Sequence, residues 1–209
     1  WLKGPIMPDR KIKKNSRIQQ RNRYRILDAA LDVFSAHGFR GATLDQIAIA
    51  AGLSKPNILY YFSNKEQVHL TLLNQLMETW LDPLVDMNED GDPMAEILAY
   101  VQRKLDMARE LPRESRLFAN EILQGAPRMR PHLTADLKPL FDQKCTVIQE
   151  WCNAGKIAPV NPQHLIFSIW STTQHYADFA AQIDVLVRPK IEDADTHLRA
   201  LFFSILKIS

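Results

Sequence analysis

The sequence predicts an all-α protein in which an N-terminal helix-turn-helix unit precedes a larger helical region. Apolar residues recur at spacings of three and four along most of the chain, which is the period of amphipathic helices. Capping residues, glycines and prolines divide these runs into nine segments, and no alternation long enough for a strand occurs. We expect a basic flexible arm over residues 1–20, a helix-turn-helix domain over residues 21–64 and a second domain over residues 65–209.

Composition and cysteine spacing exclude several other classes of protein. Of the 209 residues, 46% are apolar and 24% are charged, as in ordinary globular proteins. No apolar run approaches the ~18 residues of a membrane span and no signal peptide is evident, so a cytoplasmic protein is expected. Cys145 and Cys152 are seven residues apart in a helical pattern, roughly 10 Å between Cα atoms, which is too far for a disulfide. No zinc-ligand spacing is present, so no metal site is predicted.

The charge is concentrated at the N-terminus. Residues 1–25 contain nine Lys or Arg and one Asp, a net charge of +8, so the remainder carries 2 − 8 = −6. This asymmetry favours contact with a polyanion, although a solvated disordered leader accounts for the charge equally well. The low hydrophobicity up to about Gln20 predicts a mobile segment. Met7 could be the natural start, which would make residues 1–6 additional to the native chain.

Local signals define the first two helices. The first is predicted to begin near Asn22 and to stop before Gly38. Thr43 followed three residues later by Gln46 forms a capping box, so the second helix begins there and ends near Ala51.

The third helix follows after a tight turn. Gly52 can adopt the positive φ that a sharp turn requires. Ser54 supplies an N-cap, and Pro56 is tolerated in the first helical turn because no intrahelical N–H bond is lost there. Ile58 and Phe62 are four apart and point to the inner side. Two short helices joined in this way indicate a helix-turn-helix.

Six further helices are predicted. Their expected spans are residues 65–81, 93–110, 113–124, 132–154, 162–182 and 190–207. Pro83 is expected to end or kink the first of these, and Pro139 to kink or restart the fourth.

The outward face of the third helix, together with two helix N-termini, predicts a DNA contact surface. Lysine and asparagine side chains can bind base edges or phosphate, proline and leucine can contact a thymine methyl, and tyrosines can bind phosphate or sugar. The partial positive charge of a helix N-terminus favours phosphate. The predicted DNA-binding residues are Thr43, Lys55, Pro56, Asn57, Leu59, Tyr60, Tyr61 and Lys65. The alternatives are half-buried, internally bonded aromatics for the tyrosines and a solvated charge for Lys55.

Residues 22–81 resemble the TetR family of bacterial repressors. The resemblance is carried by ILDAALDVFSAHGFRGATLDQIA, by the AGLSK turn and by LYYFSNKE. It implies a nine-helix architecture with a ligand-binding and dimerisation region, a third helix in the major groove, and Lys65 against phosphate. One helix-turn-helix unit buries little surface, so we expect a homodimer through the last two helices. Its recognition helices would meet a pseudo-palindromic operator roughly 34–36 Å apart.

The predicted helix over residues 162–182 indicates a ligand site. It is apolar nearly all round and should be buried, yet it contains serines, threonines, a glutamine, a histidine and an aspartate. Buried polar groups need partners, which either a ligand or a packed interface must supply. Trp170, Gln174 and Asp178 share one side, which suits a cavity, and the other side suits a dimer partner.

Three further segments resemble the regulators of pyrimidine utilisation within the TetR family. They are WLDPL, SRLFANEILQGAP and APVNPQHLIFSIWSTTQHYADFAAQI, and the resemblance extends over about residues 22–183. It implies uracil or thymine as the small-molecule effector. A pyrimidinedione ring needs an amide, a carboxylate and aromatic walls. The predicted ligand-binding residues are Trp80, Phe118, Asn120, Trp170, Gln174 and Asp178. In the alternative, Gln174 and Asp178 satisfy each other or cap nearby backbone.

The helix that begins at Lys65 and carries Trp80 near its end is expected to couple the ligand site to DNA. A coupling of ~1–3 kcal/mol changes affinity by ~5–150-fold.

A TetR-type regulator of an apolar drug-like or acyl ligand is the nearest alternative. An architectural DNA binder would have no use for the polar side of residues 162–182. A hydrolase using His175 and Asp178 is disfavoured because no nucleophile or metal-ligand set accompanies them, so we predict no enzyme activity.

Overall fold

The computed structural model describes residues 10–187 and 194–208, and its side chains from Arg17 onward. Within these ranges all regular structure is helical, which confirms the predicted all-α class. The helices are α1 (Arg10–Gly41), α2 (Leu44–Ala51), α3 (Lys55–Tyr61), α4 (Lys65–Val85), α5 (Pro93–Glu110), α6 (Pro112–Leu123), α7 (Arg130–His132), α8 (Lys138–Asn153), α9 (Pro162–Asp178), α10 (Ala180–Leu186) and α11 (Ala194–Leu206). A π-helical turn at Leu133–Leu137 separates α7 from α8.

The chain divides into two compact units, the first ending at Leu72 and the second beginning at Leu73. This boundary falls inside α4 rather than at residues 64/65. The reason is that the first turns of α4 pack in unit 1, where the His69 ring contacts the rings of Phe34 and Phe39 at centroid distances of 4.7 and 5.0 Å.

The first helix begins earlier than expected, at Arg10 rather than near Asn22. Between Arg10 and Gly38 there is no glycine or proline, and lysine, arginine and glutamine favour helix. Part of the segment predicted to be a flexible arm is therefore helical, and its residues 1–9 lie outside the described residues. Gly38 has φ 64° and interrupts helical geometry where the sequence predicts the stop.

Two of the nine predicted helices are divided, so the described ranges contain eleven α-helices. The helix expected over residues 132–154 is split by the π-helical turn, with Pro139 in the first turn of α8. A proline there cannot donate to the preceding turn. The helix expected over residues 162–182 ends as α9, because Phe179 leaves helical geometry at φ −112° and ψ 24°. Conversely, α4 continues past Pro83 to Val85.

Unit 1 is built on the predicted helix-turn-helix signals. Gln46 N–H donates to Thr43 Oγ1 at 3.2 Å, and Thr43 N–H donates to Gln46 Oε1 at 2.8 Å, which completes the capping box. Gly52 has φ 59° and ends α2. A Cβ at Gly52 would also lie 2.7 Å from Nη2 of Arg25, so a side chain would displace that guanidinium in addition to straining the backbone. The most buried side chains of the unit are Ile26, Ala30, Phe34, Ile47, Ile58, Phe62 and Val68.

Unit 2 is organised around a larger apolar core supplied mainly by α5, α8, α9 and α11. Its most buried members include Ile97, Leu105, Ile148, Trp151, Ile166, Ile169, Phe202 and Leu206. Among the described helices none is both long and apolar enough to cross a membrane. No cluster of three or more potential metal-ligating side chains occurs in the described ranges.

Candidate nucleic-acid interface and ligand site

The exposed face of α3 is fixed by the residues on its buried face. Ser54 Oγ accepts a hydrogen bond from Asn57 N–H at 3.4 Å and so caps the helix. Ile58 and Phe62 are fully buried, which turns the opposite side of the helix to solvent. Five of the predicted DNA-binding side chains on α3 are exposed, and these are Lys55, Pro56, Asn57, Leu59 and Tyr60. A short helix presented in this way can be inserted into a groove.

Lys55 is held across the turn by an exposed ion pair. Its Nζ lies 2.9 Å from Asp45 Oδ2, with both side chains about half exposed or more. Such surface pairs contribute little free energy and are screened by salt, so a phosphate or base acceptor can replace the carboxylate.

Tyr60 and Tyr61 are both held by amides of α1. Gln19 Nε2 donates to the Tyr60 hydroxyl oxygen, and Asn22 Nδ2 donates to the Tyr61 hydroxyl oxygen, both at 3.2 Å. Because the hydroxyl oxygens accept, each phenolic O–H is left to donate outward. Tyr60 is 70% exposed, whereas Tyr61 is half-buried, edge-on to Tyr60. The sequence does not reveal Gln19, which lies in the segment expected to be mobile, or Asn22, which is expected only to begin the first helix.

Lys65 is turned inward. Its Nζ donates to the carbonyl oxygens of Phe39 and Ala42, both at 2.7 Å, and lies 4.3 Å from the centroid of the Phe39 ring. The ammonium group therefore fastens the start of α4 to the end of α1. A phosphate at the N-terminus of α4 would contact the backbone N–H groups there before it contacted the Lys65 side chain. Thr43, in its capping box, likewise stands exposed at the N-terminus of α2.

In unit 2, Trp80 lies in an aromatic and cationic environment. Its ring is 6.1 Å from that of Phe118, and Lys104 Nζ lies 4.4 Å from its centroid. The indole Nε1 is buried and has no hydrogen-bond partner in the described structure. A buried donor without an acceptor costs free energy, so the N–H of Trp80 is a candidate ligand contact.

Lys104 was not predicted. It lies on α5 with only 2% of its surface exposed, and burial lowers its pKa to about 7. The sequence does contain a signal for it, since Lys104 falls seven residues after Ile97 and three after Val101. These positions form the buried stripe of α5, where a lysine is unusual.

Trp170 and Asp178 contact α5 and α6. Trp170 Nε1 donates to the Tyr100 hydroxyl at 2.6 Å, and Ser115 Oγ donates to Asp178 Oδ1 at 2.6 Å. Burial raises the pKa of Tyr100 and also that of the Asp178 carboxyl group. The side of α9 that carries Trp170 and Asp178, which the sequence predicts to face a cavity, therefore faces α5 and α6. The sequence did not reveal their partners, Tyr100 and Ser115.

Gln174 lies between these two contacts on α9. It is half-buried, and its amide makes no hydrogen bond within the described residues. The alternative in which Gln174 and Asp178 satisfy each other is thus not the arrangement found, because Asp178 accepts from Ser115 instead. Asn120 is also half-buried on α6. The tryptophans have separate aromatic neighbours: Trp170 packs on Phe141 and Phe167, whereas Trp80 packs on Phe118.

Comparisons with known proteins agree with this architecture. Residues 26–71 match the family described as bacterial regulatory proteins, tetR family, and residues 73–205 match the C-terminal region of YcdC-like protein. The HTH-type transcriptional regulator RutR of Escherichia coli K12 is 48% identical over 180 residues, covering 86% of this chain and 85% of RutR. The transcriptional repressor SCO4008 of Streptomyces coelicolor is 28% identical over 138 residues, covering 66% of this chain and 68% of that protein.

Solved structures show the same fold. The transcriptional regulator SCO4942 from Streptomyces coelicolor superposes with a TM-score of 0.68 at 23% identity, over 88% of this chain and 98% of that one. The regulator AibR, solved with isovaleryl coenzyme A and operator DNA, gives a TM-score of 0.69 at 19% identity, over 88% and 97%.

These matches define a helix-turn-helix transcriptional regulator, and the chain belongs to the TetR family of bacterial regulatory proteins. Within that family it is similar to RutR. The relatives are regulators, which agrees with the prediction that the chain is not an enzyme.

Proposed function

We propose that this regulator binds a pseudo-palindromic operator as a homodimer and that a small pyrimidine, such as uracil or thymine, sets its affinity for DNA. The proposal combines the TetR family membership with the resemblance to regulators of pyrimidine utilisation. Such a protein acts in the cytoplasm, where its operator and the free nucleobase are both present.

The DNA contact proposed here combines two kinds of donor on α3. Lys55 and Asn57 can reach base edges, and Tyr60 and Tyr61 can donate their hydroxyl protons to phosphate oxygens. Their exposure and the position of the two amides on α1 support this assignment. The basic residues before Asn22 would add affinity that does not depend on base sequence, through counterion release.

Dimerisation is supported by apolar side chains exposed on α9, α10 and α11. They are Phe167, Val185, Leu186, Leu201, Phe203 and Ile205. An exposed apolar surface of this kind marks a protein–protein interface. The sequence predicts an interface through its last two helices, residues 162–182 and 190–207. The first of these corresponds to α9 with α10 and the second to α11.

The observation that carries the effector proposal is the buried, unpartnered indole N–H of Trp80. A carbonyl oxygen of a pyrimidinedione would accept this hydrogen bond beside the apolar wall of Phe118. The amide of Gln174 can donate to one ring atom and accept from another, and the carboxylate of Asp178 can accept a ring N–H.

Helix α4 is the proposed link between effector and operator. It runs without interruption from Lys65, which fastens it to α1, to beyond Trp80, a separation of roughly 22 Å along the helix. An effector that favours one position of Trp80 would change the position of the α4 start and hence of α3. A coupling of ~1–3 kcal/mol would change the affinity for the operator by ~5–150-fold.

Titration of the purified protein with uracil and thymine tests the effector. We expect a rise in melting temperature, because a ligand that binds only the folded state stabilises it. A gel-shift assay with operator DNA should show a ligand-dependent change in affinity of ~5–150-fold. Adenine and isovaleryl coenzyme A serve as the purine and acyl controls. A response to the acyl ligand alone, or no response to any nucleobase, would remove the proposed effector.

A further inference from the structure

Lys104 is a buried cation whose position the DNA-binding function does not explain. Its Nζ lies against the Trp80 ring at 4.4 Å, and within the described residues it makes neither a hydrogen bond nor an ion pair. A contact with an aromatic face stabilises an ammonium group only partly, because three N–H donors remain.

A second buried lysine in unit 2 shows what a purely structural role looks like. Lys144 is 4% exposed, donates to the Met87 carbonyl oxygen at 2.8 Å and lies 3.5 Å from Glu89 Oε1. Lys144 thus has the acceptors that Lys104 lacks. Burying a cation without an acceptor costs stability, and the cost is visible in the pKa of Lys104, which burial lowers to about 7.

We propose that Lys104 binds the effector: its ammonium group and Trp80 Nε1 donate to oxygen atoms of a small planar ring that carries two carbonyl or oxyanion groups. This inference deepens the proposed function, since it names the residue that selects for oxygen acceptors at the same site. It adds Lys104 to a site in which neither the sequence nor the family resemblance had placed it.

The arrangement of the two donors specifies the class of ligand. Both lie around one indole ring, with the N–H of Trp80 at its edge and the ammonium group of Lys104 on its face. A ligand with two oxygen acceptors can satisfy both donors, and charge-assisted hydrogen bonds to an ammonium group are the stronger kind. Cytosine has an exocyclic amine, which is a donor, where uracil has its second carbonyl, and a purely apolar ligand satisfies neither donor.

Calorimetric titration with uracil tests the assignment in the full-length protein. We expect Lys104→Met, which keeps the length and apolar stem of the side chain, to weaken uracil binding roughly 10- to 100-fold. Lys104→Arg, which retains charged donors, should keep part of the affinity. The wild-type protein should bind cytosine at least about 10-fold more weakly than uracil, because its exocyclic amine is a donor in place of one uracil carbonyl and cannot accept a hydrogen bond from the protein.

The melting temperatures of the ligand-free proteins provide a second measurement, which distinguishes ligand binding from a purely structural role of Lys104. Lys104→Met should raise the melting temperature of the ligand-free protein, because it removes an unpaired buried charge. The matched control Lys144→Met should lower the melting temperature, because it leaves the Met87 carbonyl unsatisfied, and should leave uracil affinity unchanged.

The outcomes separate the two proposals. If wild-type protein binds uracil and Lys104→Met binds it equally well, Lys104 is not an effector ligand, although the pyrimidine effector stands. If wild-type protein binds no oxo-pyrimidine, the effector proposal itself fails and the assignment of Lys104 fails with it. Loss of uracil binding together with a raised melting temperature supports both.

Discussion

Lys65 of unit 1 and Lys104 of unit 2 are placed in opposite ways. In unit 1 the side-chain caps of α2 and α3 are formed internally, and the ammonium group of Lys65 donates to two backbone carbonyls. In unit 2, Trp80, Lys104 and Gln174 lack hydrogen-bond partners among the described residues. A unit that must present a fixed surface gains from internal pairing, whereas a unit that must respond to a ligand gains from donors that only the ligand satisfies.

The largest effect is expected from removing the exposed donors of unit 1. Lys55→Ala combined with Tyr60→Ala should weaken operator binding about 100-fold or more. Lys55 is proposed to contact a base edge or a phosphate, Tyr60 is proposed to contact a phosphate, and the double variant removes both contacts. Gel shifts measure the affinity, and size-exclusion chromatography should show an intact dimer. Unchanged operator binding by a folded double variant would overturn the assignment of α3.

The internal pairing of unit 1 can be broken at Lys65. Lys65→Met removes two hydrogen bonds from a charged donor and leaves the carbonyls of Phe39 and Ala42 without it, so unit 1 should lose about 3 kcal/mol. Urea denaturation measures the free energy of unfolding. Lys55→Met is the matched control and should change stability by less than about 0.5 kcal/mol, because its ion pair with Asp45 is exposed. Equal stability of the two variants would contradict the inward role of Lys65.

The unpaired charge in unit 2 predicts an unusual dependence of stability on pH. Burial lowers the pKa of Lys104 from 10.5 to about 7, so between these values the unfolded state binds more protons than the folded state. The free energy of unfolding should therefore rise with pH, by on the order of 2 kcal/mol between pH 7.5 and 9.5, relative to Lys104→Met. Denaturant titrations of both proteins at the two pH values check this. A difference of the opposite sign would mean that Lys104 has a stabilising partner.

A smaller effect is expected at the unpaired amide of α9. Gln174→Leu should weaken uracil binding roughly 10-fold while changing the free energy of unfolding by less than about 1 kcal/mol, because the amide makes no internal hydrogen bond to lose. Calorimetry and urea denaturation report the two quantities. A large loss of stability with unchanged binding would show that Gln174 serves the fold rather than the ligand.

Much of unit 1 could be predicted because its signals are local. The capping box of Thr43, the turn at Gly52 and the Ser54 cap each lie within a few residues of the bonds they make. The inward turn of Lys65 could not be predicted in this way, because its acceptors lie 23 and 26 residues earlier. An amphipathic pattern also cannot show the break at Phe179, which has neither glycine nor proline beside it.

The candidate site in unit 2 was predicted only in part, because the contacts that complete it join residues far apart in the sequence. Periodicity placed Trp170, Gln174 and Asp178 on one side of a helix, and the structure keeps them there. Their partners, Tyr100 and Ser115, lie 70 and 63 residues away from Trp170 and Asp178. Only tertiary packing brings these residues together, so spacing within one helix contains no information about them.

The continuity of α4 across the boundary at Leu72 bears on how such regulators can be recombined. The join between the two units is not a linker, so a chimera cut at that boundary would divide a helix in the middle of its packing. A graft that exchanges segments before Lys65 must supply carbonyl acceptors equivalent to those of Phe39 and Ala42 and aromatic rings equivalent to Phe34 and Phe39 for His69. The position of a workable cut is therefore determined by the contacts that Lys65 and His69 make with α1 and the residues that follow it.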